Sequence, residues 1–314
     1  SDVYKRQALA HLVGAAVLGV LGPYVLDRLP QRWSPRVLIT AWVSSIATAV
    51  GLLFLSALSA LWPDPPPAER FVDTLARCAG AVLHAVRDDF SQVYGIAVAV
   101  VLTAVVARTA MSCARHTRDV QRVQRLHRDV VAVVGSTEPD TPDVLWIDHP
   151  HPMAYCVGGR SGFVVATSAL RTRVPAEARA AVLAHEFAHL RSRHDRVLAV
   201  CDVMARALPF VPLFRRAPAA VAALIEVDAD MSAARVTSTA AVRSALAHVT
   251  GQGVGPGTPM QHSTRYRLRM LDNGVIEPTK SKYAAASVLP LLGAALCTVA
   301  ALPVLSVVAH GLTA

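Results

Sequence analysis

The chain has 314 residues, 53% of them hydrophobic, and a formal net charge of +9; its mean hydropathy is +0.40. That is too apolar for an ordinary soluble enzyme, and the arginines crowd beside apolar runs rather than in a basic-aromatic motif, which argues against nucleic acid as a partner. The five cysteines are scattered and form no C-x-x-C pair, which argues against a disulfide framework and a cysteine zinc cage.

Ser1–Gln7 shares no pattern with the rest of the chain, reads as a scar and is set aside. Leu9–Leu26 is an apolar run of spanning length, without the polar sequel of a cleaved leader. A second run, 37–62, carries no charge and stops at Pro63-Asp64-Pro65-Pro66-Pro67. The loop between them holds Arg28, Arg32 and Arg36 against Asp27. A third stretch, 93–111, ends its clean core at Arg108, which would have to snorkel. A fourth, 284–309, is long enough to span despite Pro290 and Pro303.

Orientation follows from the loops. Residues 63–92 mix Arg70, Arg77 and Arg87 with Asp64, Glu69, Asp73, Asp88 and Asp89, whereas Arg115, Arg118, Arg122, Arg125 and Arg128 come after the third span. The positive-inside rule then puts loop 27–36 and segment 112–283 in the cytoplasm, with both termini outside. Within the outer segment, 69–90 has helical apolar spacing and reads as either an amphipathic surface helix or a packed connector. Residues 112–134 continue the third span as a helix with an apolar stripe at Val123, Leu126, Val130 and Val134; its arginines form a basic face near anionic lipid.

Beyond the break at 139–142 come the β-like runs 144–147 and 154–157, then the turn Gly158–Gly162 and the run 163–167. A hairpin is the plain reading. Ala154-Tyr155-Cys156-Val157 is the expected edge on which a peptide substrate would add as a strand; the competing reading is a purely structural hairpin.

Pro175 and Glu177 open a good helix, and on it lies His185-Glu186-Phe187-Ala188-His189. Two imidazoles at i and i+4 share a face and can grip one zinc ion, with the glutamate between them as general base. A peptidase zinc also needs a third protein ligand and an open position. Glu226 and Asp230 share a helical face in Leu224–Asp230, whereas Asp228 points elsewhere. Glu226 as ligand, with Asp230 fixing a ligand imidazole, fits the zinc pattern.

His185-Glu-Phe-Ala-His189-Leu-Arg-Ser-Arg-His-Asp195, followed by Glu226-x-x-x-Asp230, resembles the BlaR/MecR-type membrane metallopeptidases, particularly short actinobacterial-type members. It is more distantly similar to HtpX-like membrane zinc peptidases. The Ala-Tyr-Cys-Val-Gly-Gly hairpin and Arg265-Tyr-Arg-Leu-Arg-Met-Leu271 also match, so the likeness covers roughly 140–275. The resemblance implies that Glu226 is the third ligand, that Asp230 and Asp195 are supporting carboxylates, and that an arginine near Arg265 faces the site. Arg265 and His262 are the candidates to stabilise the oxyanion. His262-Ser263 departs from the His-Pro of HtpX-like relatives, which weakens His262. The penicillin-binding sensor domain of BlaR and MecR is missing after the last run, so antibiotic sensing does not carry over.

Two further segments bear on access. Residues 198–214 read as one helix on the catalytic core or membrane surface, and 251–259 as a flap or an inert linker. The expected architecture is a mainly α integral membrane protein. About four transmembrane helices carry a gluzincin-type α+β catalytic domain (112–283), inserted before the last span, with 8–111 as the N-terminal membrane domain and 284–314 as the final helix and tail. The expected activity is a zinc endopeptidase with one Zn2+ per chain, placed multi-pass in a bacterial cytoplasmic membrane. It would cut a cytoplasmic protein such as a transcriptional repressor. The alternatives are membrane-protein quality control and a non-catalytic zinc-binding scaffold or receptor. Partners are a protein or peptide substrate and the lipid bilayer, with homo-oligomerisation left open.

Overall fold

A computed structural model describes residues 2–30, 33–61, 89–138, 141–159, 162–250 and 259–272, together with residue 290. All but residue 290 of the expected fourth span, 69–88 of the 69–90 helix and all but residue 259 of the 251–259 segment lie outside the described residues.

Two apolar helices, α1 (Asp2–Asp27) and α2 (Pro35–Leu61), form a hairpin. Residues 2–6, set aside in the sequence, are helical and continue into α1. Small side chains bring the two backbones close: Ala8, Ala10, Ala15, Ala41 and Ala49 are all buried, and Ser56 donates to the Ala8 carbonyl at 2.7 Å. Among the described residues, these two helices are long and apolar enough to cross a membrane, over Gln7–Asp27 and Pro35–Ser59. The expected third span is not one of them. It forms part of α3 (Asp89–Val134), a continuous helix of 46 residues that also contains the basic extension. Val123 and Leu126, expected on its apolar stripe, are exposed.

A mixed four-stranded sheet comes next: β1 (Ser136–Glu138), β2 (Thr141–Ile147), β3 (Ala154–Val157) and β4 (Phe163–Thr167), in the order β1-β2-β4-β3. Of the residues expected as a break, 139–142, Thr141 and Pro142 belong to β2, with which β1 pairs antiparallel. β2 runs parallel to β4, and β3 pairs antiparallel with β4, with Ala154 opposite Ala166 and Val157 opposite Phe163. β3 is therefore an edge strand. Strand alternation splits the side chains. Val144, Trp146, Val164 and Ala166 enter a buried core with the helices after the sheet, while Val157 and Val165 form a smaller cluster on the other face.

Those helices are α4 (Ser168–Arg173), α5 (Ala176–Arg191), α6 (His194–Ala207), α7 (Pro212–Val236), α8 (Thr239–Thr250) and α9 (Pro259–Asp272). The expected single helix over 198–214 is broken at 208–211: Pro209 cannot continue the ladder, and Pro212 suits the first turn of α7. Arg108 does not simply snorkel. It donates to the carbonyls of Ala207 at 2.9 Å and Arg206 at 3.2 Å, capping the C-terminus of α6.

α7 joins the two halves. Leu213, Phe214, Ala217, Val221 and Ile225 pack into a core with Leu38, Trp42 and Ile46 of α2, whereas Ala233 belongs to the core beneath the sheet. A Cβ on Gly19 of α1 would meet Val211 at 2.9 Å, so glycine is what lets α1 approach the start of α7. The apolar hairpin thus seats on the same helix that carries Glu226, Asp228 and Asp230.

Candidate metal centre

The site is built on α5 and α7. α5 has a good N-terminus, with Pro175 at its cap and Glu177 in its first turn, and packs Ala178, Ala181, Val182 and Ala188 against the core. His185 and His189 follow Ala181 and Val182 along the same side of the helix, with Glu186 beside them. Nε2 of His185 lies 3.0 Å from Nε2 of His189. Glu226 of α7 closes the triangle, Oε2 lying 3.5 Å from His185 Nε2 and Oε1 3.6 Å from His189 Nε2. Ligand atoms at 2.0–2.1 Å from a tetrahedral zinc stand about 3.3 Å apart. The two Glu226 contacts use different oxygens, but one ligand atom from each of the three residues lies within 4.8 Å of the others, so the three side chains could hold one metal ion.

The hydrogen bonds behind the imidazoles give the donor set its sign. Asp230 accepts from Nδ1 of His185 at 2.9 Å, which leaves the Nε2 lone pair facing His189 and Glu226. Asp228 Oδ2, buried, is faced by Nε2 of His194 at 3.4 Å; with the proton on Nε2, His194 Nδ1 accepts from His189 Nδ1 at 3.1 Å. His189 then also presents a lone pair on Nε2. Two imidazole lone pairs and a carboxylate converge on one point. Only a proton or a cation satisfies all three, and the nitrogen-rich set suits zinc.

Arg267 of α9 completes the centre. It grips Asp230 with two bonds of 2.6 Å and reaches Glu226 at 3.0 Å. This bidentate fork matches carboxylate geometry, so Asp230 is held by an arginine on one side and a histidine on the other. The arginine expected near the site is thus Arg267. Arg265, the position named from the sequence, is exposed, because residues two apart on a helix face different ways. His262 lies in α9, with its side chain outside the described residues. Asp195 also sits apart from the triangle: it is exposed, and its carboxylate packs against Gly158, where a Cβ would approach within 2.6 Å.

These contacts move the titrations. Burial pulls His185 down, but its bonds to Asp230 and Glu226 outweigh this and raise it to about 9. His189 is lowered, first by burial and then by the neighbouring His185. One proton is therefore held between the two rings, on the His185 side. Burial would raise both Asp230 and Glu226, yet their bonds to Arg267 and His185 hold both below the usual carboxylate range. Glu186 is raised, chiefly by burial.

Glu186 lies against the edge of β3, which no other strand pairs among the described residues. Thr167 N–H donates to the Met153 carbonyl at 3.1 Å, and the antiparallel alternation then turns the N–H and C=O of Ala154 and Cys156 outward, away from β4. The Glu186 carboxylate is faced by the thiol and the backbone N–H of Cys156, both of which favour its ionised form. Beside it opens a pocket of ≈ 170 Å³ whose apolar wall is Ala154, Ala181, Val182, Val242, Ala245 and Leu246.

Residues 117–252 match the family model described as Peptidase family M48. The match supports the M48 metallopeptidases, a family of zinc enzymes, and it spans the sheet, α5 and α7 with His185, Glu186, His189 and Glu226. It is coarser than the BlaR/MecR-type or HtpX-like likeness read from the motifs, and it stops short of Arg267. Neither curated proteins nor solved structures gave a match.

Sequence reasoning missed His194. It lies five residues beyond His189, off the shared helical face, and reaches the site because Arg193 adopts a left-handed conformation (φ 51) that breaks the helix and starts α6. The rings of His189 and His194 then pack edge to face, 5.0 Å between centroids. The signal was a third histidine closely following His-Glu-x-x-His. Asp228 was correctly separated from the Glu226/Asp230 face, but its partners were not foreseen.

Proposed function

We propose that the chain is a membrane-embedded zinc endopeptidase that hydrolyses peptide bonds of a cytoplasmic protein, with Glu186 as general base. The observation that carries this is the convergence of three acceptors, from His185, His189 and Glu226, beside a half-buried Glu186 that lies against the edge strand β3.

Zinc, held by His185, His189 and Glu226, would supply a Lewis acid that acidifies water and polarises the scissile carbonyl. The rest is the work of the chain's own residues. Asp230 and the His194–Asp228 pair hold the two imidazoles in the tautomer that faces the metal. The outward N–H and C=O of Ala154 and the C=O of Cys156 can pair with an extended substrate, aligning its scissile bond with Glu186. Glu186, its pKa raised by burial, accepts a proton from the attacking water and returns it to the leaving amine. The apolar wall of the adjacent pocket suits a small aliphatic side chain.

The two apolar helices and the arginine distribution support a membrane location with the site on the cytoplasmic side. A protein such as a transcriptional repressor is the preferred substrate, on the likeness to BlaR/MecR-type enzymes. The test is full-length chain in detergent or nanodiscs, loaded with zinc and given an unfolded protein, beside Glu186→Gln. Cleavage by wild type alone is expected. Cleavage by the glutamine variant, or none by zinc-loaded wild type, would overturn the reading.

A further inference from the structure

The chain of polar contacts behind His189 does not end at His194, whose Nε2 lies 3.4 Å from Asp228 Oδ2, an ion-pair distance without hydrogen-bond geometry. It continues through Asp228 to Arg36, whose Nε donates to Asp228 Oδ1 at 2.8 Å while Nη2 reaches Ser232 Oγ at 3.4 Å. Arg36 belongs to the first turn of α2, the second helix of the apolar hairpin, and lies 192 residues from Asp228 in sequence. We propose that Arg36 is a positioning residue for the metal-facing imidazole of His189, acting through Asp228 and His194, and so couples the seating of the α1–α2 hairpin to zinc affinity.

Three observations carry this. First, a cation in the opening turn of a helix opposes the helix dipole, and α2 has no acidic residue there to compensate. The dipole of α2 does not favour an arginine at this place, whereas the buried carboxylate of Asp228 does. Second, Asp228 and His194 are 2% and 4% exposed. Burying such groups is costly unless each is paired, and each here has a neighbour on both sides: Arg36 and His194 for Asp228, Asp228 and His189 for His194. Third, the chain is directional. Arg36 can only donate and ionised Asp228 can only accept, so His194 carries its proton on Nε2 and accepts at Nδ1; His189 must then donate from Nδ1. The Nε2 lone pair of His189 is therefore fixed from α2. His185 has its own separate support from Asp230 and Arg267, so the two imidazoles are oriented from opposite sides of the molecule.

This rests on the metal site of the proposed function but not on peptidase activity, so the two can fail separately. The experiment measures zinc dissociation constants by chelator competition, and the absorption spectrum of the cobalt-substituted site, on full-length chain in detergent. Arg36→Ala, Arg36→Lys, His194→Ala and the Arg36→Ala/His194→Ala pair are compared with Arg216→Ala. Arg216 also tethers the hairpin, to Asp27 at 3.3 Å and over the Tyr24 ring, but does not touch the relay.

Arg36→Ala should weaken zinc about 10- to 100-fold, the usual range for residues behind a ligand. Arg36→Lys should recover part of the loss. The double variant should be no weaker than His194→Ala, because both residues act through one chain. Arg216→Ala should leave zinc affinity and the cobalt spectrum unchanged. Unchanged affinity in Arg36→Ala, additive losses in the double variant, or an equal loss in Arg216→Ala would each overturn the proposal. If Arg36→Ala does not fold, Arg36→Lys decides: a cobalt spectrum and affinity identical to wild type would refute it, and a shift in both would support it.

Discussion

Nε2 of His185 and Nε2 of His189 lie 3.0 Å apart, closer than two lone pairs stay without a proton or cation between them. Zinc must therefore displace the proton that His185 holds up to about 9. The protonated form competes with the metal, so affinity falls as pH falls below about 9. One proton per zinc gives about tenfold weaker binding per pH unit, or about 100-fold between pH 8 and pH 6. Zinc competition titrations across that range check this, and a flat profile would refute it.

Glu226 and Glu186 should separate binding from chemistry. Glu226→Gln removes a carboxylate from the triangle and should weaken zinc by more than the ~100-fold typical of residues behind the ligands. Glu186→Gln leaves the triangle intact. It should keep zinc affinity within a few-fold of wild type while lowering turnover by about 10²–10⁴, the usual weight of a general base. Metal analysis and peptide cleavage on the same preparations test both.

Arg267 and Arg265 should differ sharply, though only two residues separate them. Arg267→Ala leaves Asp230, which is 1% exposed, without its guanidinium partner, and should destabilise the fold by about 3–5 kcal/mol. Arg265 is exposed, and Arg265→Ala should change stability by less than about 0.5 kcal/mol. Asp230 also sets an acid limit. Its folded pKa is depressed, so its stabilisation is full above the ordinary carboxylate range and is lost as pH falls through the lowered value. Thermal melts of the two variants and wild type at neutral and acidic pH measure this.

Cys156 reports on Glu186. Burial first, and then the Glu186 carboxylate, push its thiol up to about 12, so it should resist alkylation at pH 8 while the exposed Cys113 reacts. Glu186→Gln removes the charge and should speed Cys156 labelling. Mass spectrometry of peptides after timed alkylation gives both rates. Equal labelling of Cys156 in the two proteins would contradict the contact.

Local features were readable in the chain itself. The pentad His185–His189 lies within a single helical turn, and so does the Glu226/Asp230 pair, so 3.6-residue periodicity alone put each on a common face. The strands 154–157 and 163–167 followed from short apolar runs around a glycine turn. Arg267 was harder, since the match to Arg265–Leu271 left a choice among neighbouring arginines that only the rotation of α9 on α7 resolves.

The amino-acid sequence alone thus determined whatever a local repeat can encode: the apolar runs of α1 and α2, the metal-binding helix, and the spacing of the acidic pair. Which distant groups meet was decided by the tertiary structure. It brought Arg36 to Asp228 across 192 residues, turned His194 back onto His189 through the left-handed Arg193, and set Glu186 against the edge of β3. These depend on how helices pack and rotate against one another. Side-chain periodicity fixes the face that each helix buries, but not the residue it will meet there.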